Sequence, residues 1–274
     1  MRDHDRPLIG AVQPPDVHCM TLNVRRRVPR PAGHSDSWEL RRGAVVALVT
    51  SEGPTVLAVQ EALPAQSTDL TAALGSRWEP VVVGRGAHGG GEQVGLFLDR
   101  ERLDVIERRS WALSRTPHRP GSRSWATAFP RHVVGAVVAD RATGARFTAL
   151  ATHLDVLSPW ARVRSAELLG RIVRERALPA VVMADWNSPA GSAPWRALAE
   201  AGVVDSWSRA SRQVNGPLGT YPHYRDPRPD GRRIDGVLAT TDWSVGRVAV
   251  SDRRPGGVWP SDHAAVHAVL RVAS

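Results

Sequence analysis

Lysine is absent from this chain of 274 residues. All 36 basic side chains are arginine, against 27 aspartates and glutamates, for a formal net charge of +9. A phosphate-binding P-loop of the form GxxxxGK[ST] needs a lysine, so the glycine-rich run GRGAHGGG at residues 84–91 is not one. Cysteine occurs once, at Cys19, which excludes an internal disulfide and any multi-cysteine zinc site. Its apolar neighbours mark it as a buried strand residue. No window holds about 18 consecutive apolar residues, so no membrane-spanning helix is expected. The opening MRDHDRPLIG has no apolar run of signal-peptide length, so a cytoplasmic setting is the default expectation.

The positive balance has two readings, and both stay open. It can mark a polyanionic partner such as nucleic acid, anionic lipid or a phosphorylated small molecule. It can also reflect compositional drift, since the chain is rich in Arg, Ala, Gly, Pro and Val together. Either way the guanidiniums stay charged. Hydrophobic residues at 42% and charged residues at 23% describe a soluble globular chain with ample core. There is no repeat at a fixed period and no Gly/Ser linker, which favours a loose leader over 1–15 and a single domain over 16–274.

Apolar runs predict strands at 17–22, 55–60, 93–98, 180–184, 234–239, 245–250 and 264–270, and a hairpin joining 132–139 to 146–152. Helices are expected at 39–51, 64–74 with Pro64 in the first turn, 158–176 with Ser158 as N-cap and Pro159 first, and about 193–200.

The polar residues that close these strands form a pattern. Asn23, Glu61, His153 with Asp155, Asp185 with Asn187, Asp235, and Asp262 with His263 each lie at or beside a strand end. One acid after a strand means little. Six strands that each deliver an acid, amide or imidazole imply groups converging at one sheet edge. The oxygen donors among them suit Mg²⁺, Mn²⁺ or Ca²⁺. A metal, spare carboxylates and two histidines together fit phosphate-ester hydrolysis: the ion neutralises charge on the phosphoryl group and a base activates water.

The motifs TLNVR (21–25), VQEAL (59–63), THLD (152–155), ADWNSP (184–189), RRIDGVL (232–238) and SDH (261–263), in this order and spacing, resemble the endonuclease/exonuclease/phosphatase superfamily with its deoxyribonuclease I-like fold. Segments 84–92 and 111–125 are similar to a bacterial branch related to deadenylase-like nucleases. The resemblance implies a four-layer α/β sandwich of two stacked, mostly antiparallel sheets flanked by helices. It implies Glu61 as principal metal ligand with Asn23 and Asp262 close by, and Asp185 with Asn187 aligning or deprotonating the attacking water. His263, oriented by Asp235, would contact the scissile phosphate or act as a base. His153 would stabilise the phosphate with support from Glu92, and Arg131 would clamp a phosphate oxygen. Arg25 stands near the motif loops with Arg85 and Arg123 as a further phosphate contact. It occupies a position where some members place a second aspartate, which argues against two metals. Gly-Asp-Phe-Asn of the family is Ala184-Asp185-Trp186-Asn187 here.

The expected function is a Mg²⁺-dependent (Mn²⁺ as substitute) phosphodiesterase acting on nucleic acid or a nucleotide. Alternatives are a phosphomonoesterase or a lipid- or sugar-phosphate diesterase on the same core, and a non-catalytic arginine-rich nucleic-acid-binding module. No protein partner is expected, and a monomer is the default. Trp111, Trp125, Trp186 and Trp259 lie beside motif residues, either to stack on a base or sugar or to anchor their loops. His88, His118 and His223 have no partner at metal-type spacing and read as loop residues.

Overall fold

The computed structural model describes residues 6–31 and 33–273. In chain order the elements are β1 (Val17–Asn23), α1 (Trp38–Glu52), β2 (Val56–Ala62), α2 (Pro64–Leu74), β3 (Trp78–Gly84), β4 (Gln93–Asp99), β5 (Leu103–Ala112), β6 (His132–Asp140), β7 (Arg146–His153), α3 (Pro159–Arg176), β8 (Ala180–Asp185), α4 (Ala193–Glu200), β9 (Val203–Asp205), α5 (Ser206–Arg209), β10 (Arg212–Gln213), β11 (Asp235–Thr240), β12 (Trp243–Val250) and β13 (Val266–Val272). They form a seven-stranded sheet in the order β10-β12-β13-β1-β2-β4-β3 and a six-stranded sheet in the order β5-β6-β7-β8-β11-β9. Most neighbours are antiparallel; β1/β2, β7/β8 and β10/β12 run parallel.

Alternation along the strands builds the layers. Cys19, Ala58 and Leu96 of one sheet face Ala136, Phe147, Val181 and Met183 of the other in one buried cluster. The opposite faces carry the helices. Met20, Leu22, Leu57 and Phe97 pack on Val45, Leu48 and Leu70 of α1 and α2. Val133, Leu150 and Val182 pack on Leu169, Ile172, Val173 and Leu198 of α3 and α4. The result is the expected four-layer α/β sandwich, stabilised mainly by apolar burial at about 1.5–3 kcal/mol for each fully buried Leu, Ile, Val, Phe or Met side chain. β8 is buried along its whole length because it is central and covered on both faces. α3 starts as its sequence dictates: Ser158 Oγ accepts from Ala161 N at 3.1 Å, with Pro159 next.

Three expectations change. β3 and β5 are absent from the strand pattern above. Both are edge strands, β3 carrying Pro80 and β5 a solvent-facing row with Asp104, Arg108 and Arg109, which are devices that blunt a sheet edge and break alternation. β2 does not stop before Glu61. It runs through it, with an irregular register between Val59 and Ala62 against β4. The leader is not loose where it is described: the amides of Leu8, Ile9 and Gly10 all donate to the buried Glu52 carboxylate at 2.7–3.0 Å. Its residues 1–5 lie outside the described residues.

Candidate active site

The strand registers bring the predicted residues to one end of the sandwich. His153 pairs with Asp185 across β7/β8, and Asp185 pairs with Asp235 across β8/β11. From the other sheet come Asn23 at the end of β1 and Glu61 at the irregular turn of β2. The Ser261–His263 loop before β13 closes the gap. A pocket of about 340 Å³ results, lined by Glu61, Asp185, Asn187, His153, Asp262 and His263 together with Arg25, Arg26, Arg85, Arg131, Glu92, Phe129, Val156, Tyr221 and Ile234.

Backbone strain sits on the site residues. Glu61 (φ 64°), Asn187 (φ 48°) and Arg25 (φ 54°) adopt left-handed conformations that cost non-glycine residues energy. At Glu61 the irregularity turns the carboxylate out of the strand and into the pocket. Held there, Glu61 Oε1 accepts from Asn23 Nδ2 (3.0 Å) and Oε2 from the Arg26 amide (3.1 Å). Burial would raise its carboxyl, but these bonds, with His263 and Arg25 nearby, bring it below the usual range.

Asp235 and His263 form a buried dyad, Oδ2 to Nδ1 at 2.9 Å. Burial alone would lower the imidazole. The charge and hydrogen bond of Asp235, with Asp185 and Asp262 behind it, instead hold it above its usual value. His263 Nε2 then faces Asp185 Oδ2 at 3.8 Å. Asp185 is raised above the usual carboxylate range by burial and by Asp235, and takes bonds from the Asn187 amide (2.9 Å) and Asn23 Nδ2 (3.0 Å). Thr220, silent in the sequence, fixes the start of β11 by accepting from the Ile234 and Asp235 amides. Arg41 is another: fully buried, it donates to the carbonyls of Val24, Arg25 and Pro260 and so ties the β1 exit to the His263 loop.

Several residues stand differently from expectation. Asn23 is at the site, but its Oδ1 accepts from the Arg25 amide (2.9 Å), leaving the Nδ2 donors toward Glu61 and Asp185. Its NH₂ thus orients two carboxylates of the site. His153 Nε2 accepts from Asn187 Nδ2 at 2.8 Å, an orientation fixed because the same NH₂ donates to the Leu154 carbonyl. Burial, with Arg131, His263 and Arg85 nearby, lowers the His153 imidazole well below its usual value. Glu92 pairs with Arg85 (2.6 Å) and Arg26 (3.4 Å); among the described residues it makes no bond to His153. Arg25 lies among Asp36 (3.2 Å), Asp262 (3.6 Å) and Glu61 (4.0 Å), so its charge is already met by carboxylates. Arg131 is buried and lines the pocket, with Nε 3.8 Å from Asp155 and without a hydrogen bond among the described residues.

The aromatic expectation resolves toward loop anchoring for Trp111, Trp125 and Trp186, all buried and closed to a ligand. Two rings the sequence does not single out reach the pocket instead. Tyr221 is half-exposed with its ring 4.7 Å from that of His263, and Phe129 is half-exposed beneath the Arg85 guanidinium at 4.4 Å. Neither lies in a recognisable motif; loops carry them in.

The donor set fits a hard divalent cation. Glu61, His153 and Asp185 each offer a ligand atom within 4.8 Å of the others, and Asp185, Asp235 and His263 do the same. When bound, such an ion neutralises phosphoryl charge and acidifies water.

A family model described as the Endonuclease/Exonuclease/phosphatase family matches residues 20–263. Among solved structures, the chain is similar to an endonuclease/exonuclease/phosphatase from Bacteroides vulgatus: 27% identity, 94% of this chain and 99% of that one, TM-score 0.86. It is similar to the mannosyl-6-phosphatase Bt3783 of Bacteroides thetaiotaomicron VPI-5482 at 25% identity, covering 93% and 99%, with TM-score 0.85. D. rerio TDP2 complexed with a single-strand DNA product shares the fold at 14% identity, covering 94% and 100%, with TM-score 0.70. No curated protein sequence matches. Members of this family are phosphoester hydrolases that use a divalent metal, and with the family pattern matched over most of its length and the fold in place, this chain belongs to the endonuclease/exonuclease/phosphatase family.

Proposed function

We propose that this protein is a Mg²⁺-dependent phosphomonoesterase acting on a small phosphorylated molecule. The convergence of Glu61, Asp185 and the Asp235–His263 dyad on one pocket carries this reading. Glu61 and Asp262 would hold the ion, with Asp185 at its edge. Asp185, fixed by the Asn187 amide and Asn23, takes a proton from the attacking water. The water oxygen bonds to phosphorus as the bond from phosphorus to the ester oxygen breaks. His263, held protonated by Asp235, gives its Nε2 proton to the leaving alcohol. Arg131 stabilises the charge gathering on the phosphoryl oxygens.

Two observations favour a small monoester over the polynucleotide expected from net charge. Four guanidiniums and four carboxylates line the pocket, so the +9 of the chain is not concentrated there, whereas a polynucleotide groove is strongly basic. One relative at 25% identity is a mannosyl-6-phosphatase. A second reading, a phosphodiesterase on nucleic acid, is favoured by the half-exposed rings of Phe129 and Tyr221, which are suited to base stacking. Initial rates on sugar phosphates, nucleotides, DNA and RNA between 50 and about 200 mM salt separate the two. A small monoester should change little over this range, and a polynucleotide should lose affinity steeply as counterion release weakens.

A further inference from the structure

Beside the metal-type carboxylates, the pocket has a second, basic wall that hydrolysis does not use. Its core is Arg26, Arg85 and Glu92. Glu92 Oε2 accepts from Arg85 Nη1 at 2.6 Å, and Oε1 accepts from Arg26 Nη1 at 3.4 Å. One carboxylate thus holds two guanidiniums side by side, leaving an excess of one positive charge. Among the described residues these are the only bonds the two guanidiniums make, so most of the five N–H donors on each are free.

The wall is built to keep its shape. Arg85 and Glu92 face each other across the β3–β4 hairpin, closed by the Arg85 amide on the Glu92 carbonyl at 3.0 Å and the Gly86 amide on the Gly90 carbonyl at 2.9 Å. The glycines of GRGAHGGG are required for this close turn: a Cβ at Gly84 would fall on the Gly89 carbonyl oxygen. Gly121, at φ 73°, seats the Phe129-bearing loop against Ala87 so tightly that a Cβ there would meet the Ala87 amide at 2.5 Å. Phe129 then supports the Arg85 guanidinium from below at 4.4 Å, which leaves its edges open toward the pocket. Arg85 is 15% exposed and Glu92 13%, while Arg26 is half-exposed at the mouth.

We infer that Arg85 and Arg26 form a second anion subsite, and that the substrate carries another phosphate besides the one cleaved. The scissile group lies against Arg131 and His263. The second lies on the fork of Arg85 and Arg26. Arginine suits this task because its planar fork meets phosphate oxygens in pairs. Glu92 sets the spacing of the two heads. The inference rests on the phosphatase reading and narrows its substrate class to a small bisphosphorylated molecule.

Matched pairs test it: glucose 6-phosphate against glucose 1,6-bisphosphate, and adenosine 5′-phosphate against adenosine 3′,5′-bisphosphate, each with Mg²⁺. The bisphosphates should show a kcat/KM about tenfold or more higher, as expected for charge-assisted pairs. Arg85→Gln and Arg26→Gln should each reduce the ratio of bisphosphate to monophosphate kcat/KM, with the double variant bringing it near unity. Binding to the Asp185→Asn protein, followed by calorimetry, gives a readout independent of turnover, and the bisphosphate advantage in Kd should shrink on adding Arg85→Gln and vanish when Arg26→Gln is added as well. Equal Kd values for the members of both pairs, or a ratio that Arg85→Gln leaves unmoved, overturn the subsite. A wild-type protein that cleaves none of these compounds would count against the phosphatase reading alone, since the Kd comparison still decides the subsite.

Discussion

Asn23 offers two donors and one acceptor, and all three are engaged: the NH₂ bridges Glu61 and Asp185, and the oxygen holds the Arg25 amide. Two carboxylates that would repel each other are thereby kept at a fixed spacing. Glu61→Gln, Asp185→Asn and His263→Ala should each reduce kcat/KM on the preferred phosphoester by roughly 10³-fold, the range for lost acid–base and electrostatic groups. Asn23→Ala should act mainly on kcat, by about 10²-fold, with KM held. Circular dichroism should show each variant folded; retention of full activity by any of the first three would remove it from the mechanism. Arg25 fills the place beside Glu61 and Asp262 where a second aspartate would be needed for another cation. Calorimetric titration with Mn²⁺ should therefore find one ion per chain, and two sites of similar affinity would contradict this. Most of these residues were legible in the sequence because each ends an apolar run. The exceptions have a common cause. Thr220, Tyr221 and Phe129 lie in loops whose path depends on tertiary contacts, and Arg41 reads as an ordinary basic position on a helix until its burial is seen.

Arg41 also shows how an element holds the site from behind. From α1 it donates to three carbonyls of the loops after β1 and before β13, which have no sheet partner there. Arg41→Met preserves most of the side-chain volume but leaves those carbonyls without the charged donor. It should lower unfolding free energy by about 3 kcal/mol, read from urea denaturation, and it should also raise KM as the Asp262–His263 loop loosens. A loss below about 0.5 kcal/mol would show that water replaces the guanidinium freely. The interior strands were legible because burial on both faces or strict alternation leaves a clear hydrophobic record. β3 and β5 were not, since an edge strand is selected against looking like a strand: Pro80 occupies one, and charged side chains line the exposed face of the other. β9 and β10, with three and two residues, are too short to carry a period.

At the scale of the whole molecule, the sandwich closes on a buried polar cluster outside the motifs. His18 Nδ1 donates to the Gly10 carbonyl (3.0 Å), and His18 Nε2 meets His267 Nδ1 (3.0 Å). Glu52 gathers the leader amides. Burial, with the His267 charge beside it, lowers His18 to about 3; burial lowers His267 as well. Glu52 would be raised by burial, but His267 and the three amides bring it down. Folded-state values below the unfolded ones mean that the unfolded chain binds protons first, so this stability is full above about pH 6.5 and is lost as pH falls toward 3. Thermal melting should show Tm falling across that window, and a Tm constant from pH 7 to 4 would refute the assignment. The same architecture leaves the net charge of the chain outside the catalytic argument, which rests on acids, amides and histidines at one end of two sheets. The most direct test of that argument is phosphate release from a small phosphomonoester panel by the purified protein, measured with Mg²⁺, with EDTA, and after Mg²⁺ is restored. Release that appears with Mg²⁺, stops in EDTA, returns on restoration and is absent in Glu61→Gln is the predicted result; release undiminished in EDTA, or none from any phosphoester with Mg²⁺ or Mn²⁺ present, would contradict it.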